Sequence, residues 1–158
     1  MRTLKLSVLL LLSAVPAFSA ERVIHLANDC VDLTGNYECT ENGEPTNGNE
    51  FSQKVVDGVT VYTDPTGDYV ADGQPHAVNW GFFTGQHVSQ CDAQRLNILL
   101  TGEVFFDDGD KLGDISDDET YRMLDPQTLE TRYVYERHET RGKVIRLSGT
   151  EICKKIPN

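Results

Sequence analysis

From Cys30 onward apolar and polar residues alternate with a period of two, the repeat of a strand with one buried face, and no stretch carries a helical period. A first strand over 33–40 sets Leu33, Tyr37 and Cys39 on one face and Thr34, Asn36 and Glu38 on the other. The polar stretch from Glu41 to Asn49 ends it. Strands over 51–56 and 59–63 flank Asp57-Gly58, a two-residue hairpin signal. Turns at Asp64-Pro65-Thr66-Gly67 and Asp72-Gly73-Gln74-Pro75 bracket a short strand over 69–71. A strand over 77–83 then points Val78, Trp80 and Phe82 one way. Gly85 to Gln94, polar and carrying Cys91, reads as a connection. The most regular alternation, 96–106, puts Leu96, Ile98, Leu100, Val104 and Phe106 on one face and Asn97, Thr101 and Glu103 on the other. An acidic run over 107–119 reads as a long loop. Strands over 120–124, 129–136 and 143–153 complete the chain.

Short strands at regular spacing, joined by hairpin-length turns, predict an all-β fold: an antiparallel up-and-down meander that closes into a barrel or folds into a sandwich. Closure brings the four cysteines into the picture. If the first and last strands pair antiparallel, the start of one lies beside the end of the other, which sets Cys30 near Cys153 and leaves Cys39 for Cys91. A Cys30–Cys39 bridge fits less well, because nine extended residues span about 30 Å and bridged Cα atoms sit about 6 Å apart.

Composition adds a compartment. Met1 to Ala20 carries Arg2 and Lys5, the apolar run Val8 to Leu12, then Pro16 and the small residues of Ala17 to Ala20, the pattern of a secretory signal peptide. The expected mature chain is one domain over 21–158, and its formal charge falls from −11 to −13 because Arg2 and Lys5 are lost. No later apolar run reaches the length of a membrane span, so the expectation is an exported protein, extracellular or periplasmic, with no span. Four cysteines in such a chain imply two disulfides. The strong negative charge argues against nucleic acid and anionic lipid as partners.

Gly35-Asn36-Tyr37 on the first strand, followed by a meander over the whole mature chain, resembles the small exported lipocalin-like, or calycin-like, barrels, which carry Gly-x-Trp at that place. That resemblance implies a cup with a small, apolar ligand inside. Trp80, Phe82, Leu100, Val104, Tyr133 and Tyr135 are then the candidate lining, and packing alone is the competing reading of the same residues.

The acidic run suggests a metal. Read from Asp108, it resembles the twelve-residue calcium loop of EF-hands: Asp108 at the first position, Asp110 at the third, Gly113 at the turn, Asp114 at the seventh, Ser116 at the ninth and Glu119 at the twelfth. Leu112 stands where a fifth-position oxygen belongs, and the flanks read as strands. The alternative is a solvated hairpin loop. No nucleophile elbow, phosphate loop or zinc motif occurs, and the four histidines fall outside metal-ligand spacing. The sequence thus leaves three functions open. One is a carrier of a small apolar ligand. Another is a filled barrel that meets a protein partner, as inhibitor or envelope component, through its acidic loop, with Ca2+ as a stabilising ion. The third, an enzyme, is the least supported, with Thr131 and Glu151 as its only inward polar hints.

Overall fold

The structure, a computed structural model, describes residues 29–157, so the expected leader over 1–20 lies outside the described residues. The strands are β1 (Gly35–Glu41), β2 (Glu44–Pro45), β3 (Asn49–Val56), β4 (Val59–Thr63), β5 (Asp68–Val70), β6 (Pro75–Asn79), β7 (Phe83–Cys91), β8 (Arg95–Phe105), β9 (Lys111–Asp125), β10 (Thr128–Glu139) and β11 (Val144–Lys155). They form one sheet in the order β5-β4-β3-β1-β11-β10-β9-β8-β7-β6, with β2 beside β1. Every pairing is antiparallel, and the sheet curls until its ends nearly meet in a barrel. Among the described residues no helix is long and apolar enough to cross a membrane.

Turn chemistry explains much of the acidity. The side chains of Asp32, Asp64, Asp72, Asp92, Asp108 and Asp125 each accept a hydrogen bond from the backbone N–H two residues on, at 2.7–3.0 Å. That local bond is what suits Asp to a turn. Asp57 and Gly58 both take positive φ, 50° and 81°, as a type I′ hairpin requires.

The first and last strands do pair, Tyr37 opposite Lys155 and Cys39 opposite Cys153. This register corrects the expected disulfides. The bridges are Cys39–Cys153 and Cys30–Cys91, with Cα atoms 3.9 and 5.1 Å apart. The expectation put Cys30 at the start of the strand, whereas β1 begins only at Gly35. The residues before it instead cross the end of the barrel to the opposite wall, where the Val31 N–H donates to the Asp92 carbonyl at 2.7 Å. Val31 and Leu33 close that end, and the Tyr62 hydroxyl donates to the Val31 carbonyl at 2.6 Å. Tyr37 does the same to the Leu33 carbonyl at 3.0 Å.

Two stretches expected as connections are strands. Gly85 to Gln94 lies largely in β7, and the acidic run enters β9 at Lys111. Conversely, the strand expected to reach 83 ends at Asn79, and Gly81-Phe82 form a tight hairpin in which the Trp80 N–H donates to the Phe83 carbonyl at 2.9 Å.

The ladder is open between β5 and β6, where side chains bridge the seam. Tyr69 of β5 stands edge-on to His87 of β7 with centroids 5.3 Å apart, and His76 of β6 stacks on His87, also at 5.3 Å. His87 is 1% exposed and shares a 2.9 Å hydrogen bond with Ser89, while His76 pairs with Asp72. Burial in this contact holds the His87 imidazole below its ordinary value, with His76 adding to the depression and Asp72 opposing it.

Candidate ligand-binding cup

Register and burial together identify the inner wall. Leu129 faces Cys153 and Met123, Leu96 faces Tyr121 and Cys91, and Phe51 faces Gly35. Leu33, Leu96, Leu129, Cys153 and Tyr62 are fully buried, so these positions point inward and form the core at the plugged end. Stepping two residues at a time along the same strands reaches the other end, where the wall changes character.

There β9 offers Glu119 and Asp117, β10 offers Thr131, Tyr133 and Tyr135, β11 offers Glu151 and Gly149, and β1 offers Glu41. The Cys39–Cys153 disulfide marks the boundary, with the Glu151 carboxylate lying beside its sulfurs and the Asn49 amide 3.4 Å from Cys39 Sγ. Glu119 accepts a 2.6 Å hydrogen bond from the Tyr121 hydroxyl. Tyr133 donates to Glu41 at 3.2 Å. Gly149, directly opposite Tyr133, makes this contact possible, because a Cβ there would lie 1.8 Å from Glu41 Oε1 and 2.6 Å from the Tyr133 hydroxyl oxygen.

Electrostatics follow from crowding carboxyl groups against a core. Burial pushes the Glu119 carboxyl up to about 7; the Tyr121 hydroxyl opposes the shift, and the charges of Asp117, Asp64 and Glu151 add to it. Asp117 is pushed up to about 6, by burial first and by Asp118 second. Both groups therefore exchange protons near neutral pH, which is what burial plus like charge does to a carboxyl. Three buried side-chain atoms among the described residues have no hydrogen-bond partner: Gln53 Oε1, Asp117 Oδ1 and Arg137 Nε. All three belong to inward positions, since Gln53 pairs with the buried Tyr62 and Arg137 continues the face of Leu129 and Thr131. Arg137 itself is tied to Glu139 at 2.8 Å.

The expected lining divides. Leu100 is buried in the core, Val104 and Trp80 pack against it, and Tyr133 and Tyr135 stand half-buried on the inner wall of the open end. Phe82 does not join them: it sits on the hairpin after β6, 61% exposed, because the turn breaks the alternation that grouped it with Val78 and Trp80. Phe106, expected on the face of Val104, likewise lies past the end of β8 and is 51% exposed.

The expected calcium ligands are not gathered by the backbone. Asp108 and Asp110 sit in the β8–β9 turn, while Asp114, Ser116 and Glu119 are spread along extended β9. Asp114 and Ser116 point outward and Glu119 inward, opposite faces of one strand. Lys111 reaches Asp114 at 2.8 Å and Glu103 at 2.6 Å. Among the described residues, the one trio of His, Cys, Asp or Glu with ligand atoms converging within 4.8 Å is Cys39, Glu151 and Cys153, and both sulfurs are spent in the disulfide.

The sequence marks Thr131 and Glu151 as inward and Glu119 only as a calcium ligand, and it leaves Glu41 and Asp117 unmarked at this site. Asp117 and Glu119 were read as parts of a loop. The available signal was the spacing of Asp117, Glu119 and Tyr121, every second residue leading into a strand. No protein-family model, curated protein or solved structure matches the chain.

Proposed function

We propose that the chain is an exported barrel that binds a small organic ligand at its open end, the ligand carrying a basic group and a compact apolar body. Asp117, Glu119 and Glu151 would receive the basic group, and Tyr133, Tyr135 and Val104 would cover the apolar body. The observation that carries this reading is the pair Asp117 and Glu119, two inward carboxyl groups with raised pKa on the wall of a barrel closed at the other end. A cation brought beside them lets both ionise, and that gain is a source of affinity that an apolar ligand alone lacks. Export is supported by the two disulfides and by the charged, apolar, then small-residue order of 1–20.

The test is calorimetric titration of the mature chain with phenethylamine, tyramine and spermidine at pH 8 and at pH 5, alongside native mass spectrometry of the protein purified gently from its source. Binding of an amine at pH 8 that weakens at pH 5 and is lost in Asp117→Asn/Glu119→Gln is the expected result. An uncharged adduct from the source, or amine binding that survives the double substitution, would overturn the reading.

A further inference from the structure

A cavity lies on the outside of the barrel, between the β6–β7 hairpin and the β8–β9 turn. It is an open groove of about 520 Å³, within the range of small-molecule sites, about 300–1,000 Å³. Phe82, Phe105 and Phe106 supply its apolar surface, and Asn79, Thr84 and Asp107 supply its polar groups. Asn79 and Thr84 are cross-strand partners that face away from the core, so the groove is separate from the cup.

The backbone holds the rings in solvent. Gly81 takes φ +83° at the first turn position, as in a type II′ hairpin, and its N–H donates to Asn79 Oδ1 at 3.0 Å. The Phe82 carbonyl accepts the Phe105 N–H at 2.9 Å, which ties the hairpin to β8. On the far side, the Phe106 N–H donates to the Asp110 carbonyl and the Gly109 N–H to the Phe106 carbonyl, each at 2.9 Å. Two large rings are thus fixed in water on bonded turns, Phe82 at 61% and Phe106 at 51% exposure, beside a cavity. Exposed apolar surface held that way marks an interaction site.

The polar groups narrow the ligand. The Asn79 oxygen is engaged by Gly81, which leaves its NH2 to donate; the Thr84 hydroxyl donates and accepts; Asp107 accepts. Mixed donors and acceptors beside aromatic faces suit a molecule that has hydroxyl groups at its edge and C–H groups on its faces. None of the described lining residues is cationic, and Asp108 and Asp110 share the turn with Asp107, so anionic ligands are repelled. We propose that this groove is a binding site for a neutral saccharide, two of whose rings lie on Phe82 and Phe106 while their hydroxyls meet Asn79, Thr84 and Asp107.

The experiment is a solution NMR titration of the mature chain with cellopentaose, mannopentaose, xylopentaose and chitopentaose, and with the acidic pentasaccharides of alginate and pectin as opponents. The expected result is saturable shifts of the Asn79–Thr84 and Phe105–Asp110 amides with at least one neutral sugar and none with the acidic ones. Phe82→Ala and Phe106→Ala should each weaken binding by about tenfold, from the loss of one stacked ring. Because both rings are largely in solvent, circular dichroism should show each variant folded. No shift with any of the four neutral sugars at millimolar concentration would overturn the proposal, as would binding of the acidic sugars alone. Unchanged affinity in the folded Phe82→Ala/Phe106→Ala variant would overturn it too.

Discussion

On the inner face of β10, Leu129 is completely buried and touches the Cys39–Cys153 side of the core, whereas Tyr133 and Tyr135, four and six residues along the same face, stand partly in solvent. The same contrast runs along β9 from Tyr121 to Asp117 and along β11 from Cys153 to Gly149. At the closed end the tyrosine hydroxyls have partners: Tyr37 bonds Leu33 and Tyr62 bonds Val31. At the open end Asp117 and Arg137 each keep one buried atom without a partner, against Gln53 alone beside Tyr62 at the closed end. Buried polar atoms are normally paired, so the two halves were built under different demands. One half closes and stabilises the barrel, and the other keeps hydrogen-bonding capacity and titratable charge inside it.

The largest expected effect comes from breaking the closed half alone. Leu129→Ala should lower unfolding free energy by about 2–5 kcal/mol, the range for a core leucine whose site cannot collapse. Urea titration reads the loss. Amine binding at the open end, where no ligand contact uses Leu129, should persist in the folded fraction, and its disappearance would mean that the halves are not separable.

Filling the open half is the next step down. Gly149→Val places atoms where Glu41 and the Tyr133 ring now meet, and overpacking of this kind is expected to destabilise by about 1–3 kcal/mol. Binding should suffer as well. A melting temperature lowered by several degrees together with amine affinity reduced by about tenfold or more, measured on the folded variant, is the outcome expected if Gly149 serves the cup.

Acidity acts on both walls with opposite signs. Asp117 and Glu119 have folded pKa values of about 6 and about 7, raised above the carboxyl range. They therefore favour the fold when protonated, and that contribution is lost as pH rises through those values. His87 is depressed below 6.5, so its contribution is present above 6.5 and lost as pH falls through the depressed value. In wild type the two slopes oppose each other just below pH 6.5, where His87 begins to lose its contribution as pH falls. Asp117→Asn/Glu119→Gln should leave stability rising with pH across that window, and His87→Gln should leave it falling. Urea midpoints at several pH values measure both slopes, and equal slopes in the two variants would sink the assignment. Trp80, the chain's single tryptophan, lies over Gly67 at the seam and reports fluorescence there.

The strands legible in the sequence are those whose inward faces keep several apolar residues, even where Thr131, Gly149 or Glu151 interrupts them. β4 was placed to the residue at Val59–Thr63, and β8, β10 and β11 within a few. β7 was hidden because its inward positions are Phe83, Gly85, His87, Ser89 and Cys91, mostly small or polar. Gly85 faces Gly102 under the Phe83 ring, and His87 bonds Ser89, so the interior is filled without aliphatic side chains. The first half of β9 was hidden for a related reason: Asp117 and Glu119 occupy places that a packing strand gives to valine or isoleucine. Pattern failed where the wall carries chemistry, which is where conflict between local signal and fold is expected. The disulfides were misassigned because register, not strand order, decides which cysteines face each other. Order was legible from closure; register depended on where β1 begins.

The smallest effect is expected where neither half is involved. Arg146 faces outward on β11 and pairs with Glu136 across the strand, and that contact together with His138 pulls the Glu136 carboxyl down to about 2. Both side chains are solvated, Arg146 at 72% exposure, and exposed pairs of this sort contribute little, because solvent screens them and two long side chains must be ordered to form them. Arg146→Ala should leave the melting temperature, the amine affinity and the saccharide shifts unchanged within repeat error at physiological salt. The substitution is thus a control on the comparison. If removing one outward charge altered amine affinity as much as Gly149→Val does, the cup's electrostatics would be those of the whole acidic surface, and the inner carboxyl groups would lose their special role.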